Sequence, residues 1–445
     1  MAFRDRFGLE LTTHSAEAAE RYQEGVDASL SGNVGADLSF AAAVEADPGF
    51  ALGHVALGRS LQLLARMPEA QAAKARAREL ATATSRRERQ HVETVATAID
   101  GDGPGAMRLL REHIAEYPRD AFVLSQAVGP FSLLGFGGGP DWRAETYELL
   151  TPLASTYGDD WWFLSSYGFI CNEVERFEEA RRMAERSLEL YPRSGHGAHT
   201  MGHVFFEQGD HTGGKGFLDG WLPGYAREAT LYSHLTWHLA LFELNRGNTA
   251  RVMSLWDETL APTISPGNAL ITLADASALA WRCDLYGAPR PEGSREELAG
   301  FARKAFPRPG ITFADMHAAM ALAAAGDAAA VEELIAGLHE RLASGKLAAG
   351  EVAIALARAI AAYAAGEFEE AVRLLEPWIA EVVRVGGSNA QREVFEDTLL
   401  AAYLNAGRFE QAEVMLQARL QRRPNPRDEA ALARAFAERT AASAN

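Results

Sequence analysis

GEFEEA at residues 366–371 and GRFEQA at residues 407–412 are two copies of one short turn, each followed by an apolar helical pattern. Related turns begin at Arg176, Gly209, Gly247 and Gly326, and adjacent copies lie 33 to 41 residues apart. This spacing is close to the ~34 residues of a tetratricopeptide unit. The glycine can end one helix in the left-handed conformation, after which the next helix packs back against it. A single pair cannot bury its apolar faces, so the pairs must stack.

The rest of the chain follows the same pattern. Apolar residues recur with a helical period nearly throughout, and strand signals are almost absent. We therefore predict an all-α solenoid of tetratricopeptide-like helix pairs that encloses a concave groove or cavity. Its predicted parts form one array over residues 1–445: an N-terminal extension (1–14), N-terminal repeats (15–158), site-bearing repeats (159–425) and a C-terminal capping helix (426–445). The glycine-rich segment 135–140 reads as a flexible joint within the array.

Composition restricts the class of protein and its compartment. Of the 445 residues, 48% are hydrophobic, which is enough for a large packed core. The two cysteines, Cys171 and Cys283, lie inside helical patterns and form no disulfide framework. The N-terminus lacks the apolar segment of a secretory signal, and no apolar run reaches membrane-spanning length. These features predict a cytoplasmic protein. The net charge of −17 predicts that neither nucleic acid nor an anionic membrane is a partner.

The first helix of each pair should line the concave wall, and two successive ones are rich in histidine. SGHGAHTMGHVFFEQGD (194–210) places three histidines and Glu207 on one face, and LYSHLTWHLALFELNRG (231–247) places two one turn apart. The four residues in HxxxH pairs are His199, His203, His234 and His238. They can chelate a divalent metal, act as acid and base, or form hydrogen bonds in a helix interface. The three readings stay open, so the cofactor is either none or a divalent metal ion.

Other first helices bring further polar and aromatic groups to this wall: Asp160, Trp161, Trp237, Asp275, Trp281, Asp315 and His317. Asp160 and Asp315 are also at positions where an aspartate caps a helix. Asp275 and Arg282 lie two turns apart on one side, and a buried pair of this kind must bind each other or a ligand.

GGSNAQREVFEDTLL (386–400) carries the last group of this series. Ser388 and Gln391 fit a capping box, which is a structural role. The turn also offers backbone N–H groups to an anion, and Arg392 could hold a carboxylate with two hydrogen bonds.

The motifs DDWWFL, HxxHxxxHVxxExG, HLxWHLALFELxxG, DAxxLxWR, FxDxHxxMA and GGSxAQRxxF occur in this order. Together they resemble the tetratricopeptide repeat protein 38 family, most clearly over residues 159–423. The resemblance implies a superhelix of helix pairs and no particular activity. Asn389 stands where the family form GGSHAQR leads us to expect histidine, which weakens any role for a titratable group there.

The sequence leaves two functions open. The first is an enzyme or binding protein for a small carboxylate- or amide-bearing molecule, with hydrolase or lyase chemistry. Its predicted catalytic residues are His199, His203, His234, His238, Asp275 and His317. Its predicted substrate-binding residues are Asp160, Trp161, Trp237, Trp281, Asp315, Ser388, Gln391 and Arg392. The alternative is a non-catalytic scaffold that binds a peptide or protein partner in the groove.

Overall fold

The computed structural model describes residues 3–444 and confirms the all-α, tetratricopeptide-like solenoid. The expectation of helix without sheet fails only at the N-terminus. There, Phe3–Arg4 (β1) and Glu10–Leu11 (β2) pair as a short antiparallel hairpin. Residues 1, 2 and 445 of the predicted array lie outside the described residues.

The N-terminal part consists of nine helices within the described residues. They are α1 (Ala16–Ser31), α2 (Ala36–Ala46), α3 (Ala51–Leu63), α4 (Met67–Ala81), α5 (Arg86–Ile99), α6 (Gly103–Glu116), α7 (Ala121–Leu124), α8 (Trp142–Leu150) and α9 (Ala154–Tyr157).

The C-terminal part contains the remaining helix pairs and a 3-10 segment, Glu376–Val385, that precedes α22. Its helices are α10 (Trp161–Glu173), α11 (Phe177–Leu190), α12 (Gly195–Glu207), α13 (His211–Trp221), α14 (Tyr232–Asn245), α15 (Thr249–Leu255), α16 (Ala269–Leu285), α17 (Ser294–Ala305), α18 (Thr312–Ala324), α19 (Ala328–Ala343), α20 (Glu351–Ala364), α21 (Phe368–Leu375), α22 (Asn389–Asn405), α23 (Phe409–Arg422) and α24 (Pro426–Ala444).

The turns between paired helices form as their sequence predicts. Gly326, Gly366 and Gly407 all have φ between +72° and +79°, which a residue with a side chain adopts only at a cost. In the Gly-Asp copy, the Asp327 carboxylate then accepts a hydrogen bond from the backbone N–H of Ala330 (3.1 Å) and caps the next helix. The glycine thus ends one helix and the polar residue after it begins the next.

The first helices of the pairs form one continuous wall. α10 packs on α12, α12 on α14, α14 on α16, α16 on α18 and α18 on α20. α22 then packs against both α12 and α16, and α1 packs against α12. The superhelix therefore turns back on itself, and the inner wall is largely buried.

The glycine-rich segment 135–140, predicted as a flexible joint, is packed into this closure. Phe131 and Phe136 stack on each other, and Phe131 lies against Phe313 of α18 with ring centroids 5.2 Å apart. A Cβ at Gly138 would overlap the backbone of Ala348. Glycine here permits a close approach between two segments, whereas the sequence pattern predicted only flexibility.

The turn that introduces α22 is suited to a mutational test. Gly387 has φ +83°, and a Cβ there would overlap the Phe313 ring, whereas Gly366 has φ +79° and open space. Gly366→Ala should cost about 1–2 kcal/mol, the cost of the left-handed conformation alone. Gly387→Ala should cost about 1–3 kcal/mol more, because the overlap is added. Urea denaturation of both variants measures the difference, and equal losses would show that the turn is not held against α18.

Candidate functional site

Four predicted histidines meet in the buried wall between α12 and α14. The Nε2 atom of His199 lies 3.0 Å from Nε2 of His203 and 3.0 Å from Nε2 of His234. His238 completes the group, with its ring centroid 4.5 Å from that of His203. The four side chains are between 0% and 7% exposed. The two HxxxH pairs therefore form one compact four-imidazole cluster.

Asp275 of α16 supports this cluster from outside. Its two carboxylate oxygens lie 2.9 and 3.1 Å from Nδ1 of His234. Asp275 and Arg282 were expected to bind each other or a ligand, but Arg282 donates from Nε to Asp397 (3.0 Å). The two residues lie on the same side of α16, two turns apart, and each finds a closer partner on a neighbouring helix.

Burial keeps most of the cluster uncharged. Burial, reinforced by the neighbouring imidazoles, lowers the pKa of His199, His203 and His238 well below the usual histidine range. Nδ1 of His203 and both ring nitrogens of His238 have no hydrogen-bond partner within residues 3–444. Neutral imidazoles with unpaired nitrogens are the form of histidine that binds metals.

The other predicted residues of this wall have partners of their own. His317 lies apart from the cluster: its Nδ1 is 2.7 Å from the Phe313 carbonyl oxygen, and burial lowers its pKa to about 4. Trp237 stacks on His234 at a centroid distance of 5.3 Å. Trp281 donates from Nε1 to the Thr398 hydroxyl (3.0 Å).

The predicted residues near helix starts make local contacts. Asp160 caps α10 and pairs with Arg6, whose guanidinium lies 4.7 Å from the Trp161 ring centroid. Asp315 accepts a hydrogen bond from the Gly310 backbone, and burial raises its pKa to about 7. Ser388 and Gln391 form the capping box that the sequence predicts.

Arg392 lies elsewhere, at a cavity of about 210 Å³ beside α22. It donates to the carboxylate of Glu173 (3.1 Å) and to the side-chain oxygen of Asn389. The cavity combines charged and apolar side chains, some of them exposed. Its lining consists of Arg143, Glu175, Phe177, Glu207, Ile379, Ala380, Val382, Val383, Asn389, Arg392, Glu393, Glu396, Arg422 and Arg423.

The cavity floor is a buried ionic network that sequence reasoning missed. Arg423 donates to Glu207 (3.1 Å) and, at shorter range, to Glu393. Burial opposes ionisation of Glu393, but Arg423 and Arg419 hold its pKa below the usual range. Glu207 is the second carboxylate that Arg423 contacts, and burial raises its pKa to about 7. Its Oε1 atom has no partner among the described side chains.

A sequence signal for this network exists. Carboxylates at 393, 396 and 397 on α22 and arginines at 419, 422 and 423, where α23 ends, have the same i, i+3, i+4 spacing. Each set therefore lies on one helical face, and two such faces of opposite charge can meet.

A second buried histidine pair provides a contrast with the four-imidazole cluster. His91 Nδ1 and His113 Nε2 lie 3.0 and 3.1 Å from the same carboxylate oxygen of Asp120. Arg87 donates to that oxygen from 2.8 Å. A guanidinium thus already supplies the cation of this group, which makes it a structural hydrogen-bond network.

No known family profile matches the chain. Solved structures that resemble it are helical-repeat proteins. A monomeric mutant of IFIT1 with Gppp-AAAA is 13% identical, covers 98% of both chains and gives a TM-score of 0.42. The human IFIT1 dimer with m7Gppp-AAAA is 13% identical over 94% of this chain and 98% of that chain, with a TM-score of 0.38. Yeast Tom70 is 14% identical over 96% of both chains, with a TM-score of 0.32.

The predicted partners need correction. The predicted exclusion of nucleic acid is wrong: IFIT1, among the structures reported above, holds Gppp-AAAA. The preference for a small molecule is wrong as well. That prediction relied on the net charge, but −17 is a sum over the whole chain, whereas four arginines and four glutamates line one cavity. Within residues 3–444, no helix is both long and apolar enough to cross a bilayer.

The raised pKa of Glu207 predicts a specific pH dependence of stability. The folded chain holds this proton up to a pH of about 7, whereas an unperturbed glutamate releases it near 4.5. Folding therefore becomes less favourable as the pH rises between these values, by about 1–3 kcal/mol. Glu207→Gln should lose this part of the dependence in denaturation series from pH 4.5 to 8. Glu396→Gln, at the same cavity but half-buried, should keep it. A Glu207→Gln series parallel to the wild type would contradict the assignment.

Proposed function

We propose that the chain is a non-catalytic tetratricopeptide-type scaffold that binds a peptide segment of a protein partner in the cavity beside α22. The observation that supports this most strongly is the cavity's lining. It reaches the surface at Glu175, Ala380 and Arg422, and it combines charged groups with an apolar strip. The catalytic histidines predicted from the sequence line neither this cavity nor the smaller one beside Tyr286.

The chemistry of the cavity favours a basic residue in the peptide. Oε1 of Glu207 is buried and has no donor within the described chain, so a partner's N–H group would satisfy it. Glu175, which is exposed, and Glu396, which is half-buried and pairs with Arg422, also line the cavity.

An apolar strip extends this recognition to a neighbouring residue. Phe177, Ile379 and Val382 line the same cavity and are buried or half-buried. We infer that the bound segment carries a lysine or arginine next to an aliphatic or aromatic side chain. The apolar residue supplies burial, and the charged residue fixes the register of the peptide.

Two narrower assignments belong to this proposal. The ordered motif series supports membership of the tetratricopeptide repeat protein 38 family. Cys171 and Cys283 are buried and unpaired, which suits a reducing compartment, so we place the protein in the cytoplasm.

Selection from a random peptide library on the immobilised full chain tests the proposal. Enriched peptides should carry a basic residue next to an apolar one. Their affinity, measured by fluorescence anisotropy, should fall by about tenfold or more in Glu396→Arg, because a charge at the cavity is reversed. Glu93→Arg is a matched control: Glu93 also pairs with an arginine of another helix, Arg78, far from the cavity in sequence.

The same assay includes an oligonucleotide arm. Salt-dependent binding of a short single-stranded RNA, weakened by Arg422→Ala and with no peptide enriched, would replace the peptide by nucleic acid. Enrichment of acidic peptides would contradict the inferred charge of the partner. Equal affinity in Glu396→Arg and Glu93→Arg would place the binding surface elsewhere.

A further inference from the structure

The four-imidazole cluster contains more nitrogen lone pairs than its protons can satisfy. Each nitrogen of a neutral imidazole offers either one N–H or one lone pair. Because Nδ1 of His234 faces the Asp275 carboxylate, it carries a proton, and in the neutral form of the ring its Nε2 presents a lone pair. This lone pair points to Nε2 of His199, which Nε2 of His203 also approaches to 3.0 Å.

One proton on Nε2 of His199 cannot form two good hydrogen bonds. If Nε2 of His199 carries a proton and donates it to His234, then Nε2 of His203 must either share that proton or bring its own proton against it. If His199 offers a lone pair instead, it faces the lone pair of His234. His238 adds two further nitrogens without a partner in the described chain. Unmet polar groups of this kind are costly at full burial, so the arrangement calls for a cation at the point where the nitrogens converge.

We propose that His199, His203, His234 and His238 bind one divalent transition-metal ion, with zinc as the expected occupant. Each residue offers one nitrogen, and these four atoms all lie within 4.8 Å of one another. Four ligands at the usual zinc–nitrogen distance of about 2.0–2.1 Å would be separated by about 3.3–3.4 Å in a tetrahedron. The observed 3.0 Å separations are within a few tenths of an ångström of that geometry.

The ligand set determines the class of metal. Imidazole nitrogens bind zinc, copper, nickel and iron, whereas magnesium and calcium require oxygen ligands. Four protein ligands in a buried site leave no open position for a substrate, which is the arrangement of a structural site. Asp275 would hold the tautomer of His234 and offset part of the metal's charge. The metal would thereby join α12, α14 and α16.

Metal analysis of the full chain tests this inference. The protein is produced without a histidine tag and without metal-affinity chromatography, and is analysed by inductively coupled plasma mass spectrometry. We expect about one zinc per chain, and an X-ray absorption spectrum with four nitrogen neighbours at about 2.0–2.1 Å and no sulfur. Chelation should lower the melting temperature, and added Zn²⁺, but not Mg²⁺, should restore it.

Matched variants locate the metal. His203→Gln and His238→Gln should lose the zinc, whereas His113→Gln, in the network that Arg87 already neutralises, should keep it. Asp275→Asn should retain the fold and weaken zinc affinity by about 10–100-fold, as measured by competition with a chromophoric chelator. This variant decides the question if the histidine variants do not fold.

Three outcomes would overturn the proposal. The first is wild-type protein that contains no metal and neither binds added Zn²⁺ nor gains melting temperature from it. The second is equal zinc content in the wild type, His203→Gln and His238→Gln, which would place the metal elsewhere. The third is an absorption spectrum with sulfur or mainly oxygen neighbours. Each is independent of peptide binding, so failure here leaves the proposed function untouched.

Discussion

Pairing of buried charges along α22 holds the superhelix closed, and both candidate sites depend on it. Asp397 of α22 accepts from Nε of Arg282 (3.0 Å) on α16 and from Nη2 of Arg419 (2.9 Å) on α23. Arg392 pairs with Glu173 at the end of α10. A buried ion left without its partner costs about 3–5 kcal/mol, so α22 cannot be displaced from the wall without several such losses.

This closure divides the inner wall into two environments. α22 packs against α12 and α16 of this wall, and the four imidazoles between α12 and α14 are buried. At its N-terminal end, where the 3-10 segment and α23 approach, charged groups remain partly exposed around a cavity. One wall can therefore contain a buried cluster, suited to hold an ion, and a partly exposed cavity, suited to hold a peptide.

The sequence predicts local structure but not the closure of the superhelix, because closure depends on contacts between residues far apart in the chain. Turns such as 326–327 are encoded within a few residues, because the glycine conformation and the aspartate cap are local. The histidine cluster was predictable as well, since i, i+4 pairs on adjacent first helices must face each other. The contact between Glu173 and Arg392 joins residues 219 positions apart, and no periodicity encodes such a pairing.

Asp275 shows the same limit within a single helix. Its spacing from Arg282 correctly places both on one side of α16, but seven residues correspond to a rise of about 10.5 Å. Side chains that far apart bond to neighbouring helices instead, and the identity of those neighbours depends on how the pairs stack. Spacing thus predicts which face a residue occupies, whereas its partner is a property of the assembled wall.

A charged residue in a buried wall needs a counter-charge, and the source of that counter-charge indicates the role of the residue. Asp120 obtains it from Arg87, and Glu393 from Arg423, so the charge of both carboxylates is balanced within the chain. Glu207 keeps one oxygen unpaired beside an open cavity, and the four imidazoles keep several nitrogens unpaired at full burial. An incomplete group beside a cavity that opens to solvent can be completed by a partner molecule that comes and goes. An incomplete group sealed inside the wall needs a ligand small enough to enter the wall or to be enclosed as the chain folds, and a metal ion meets that requirement.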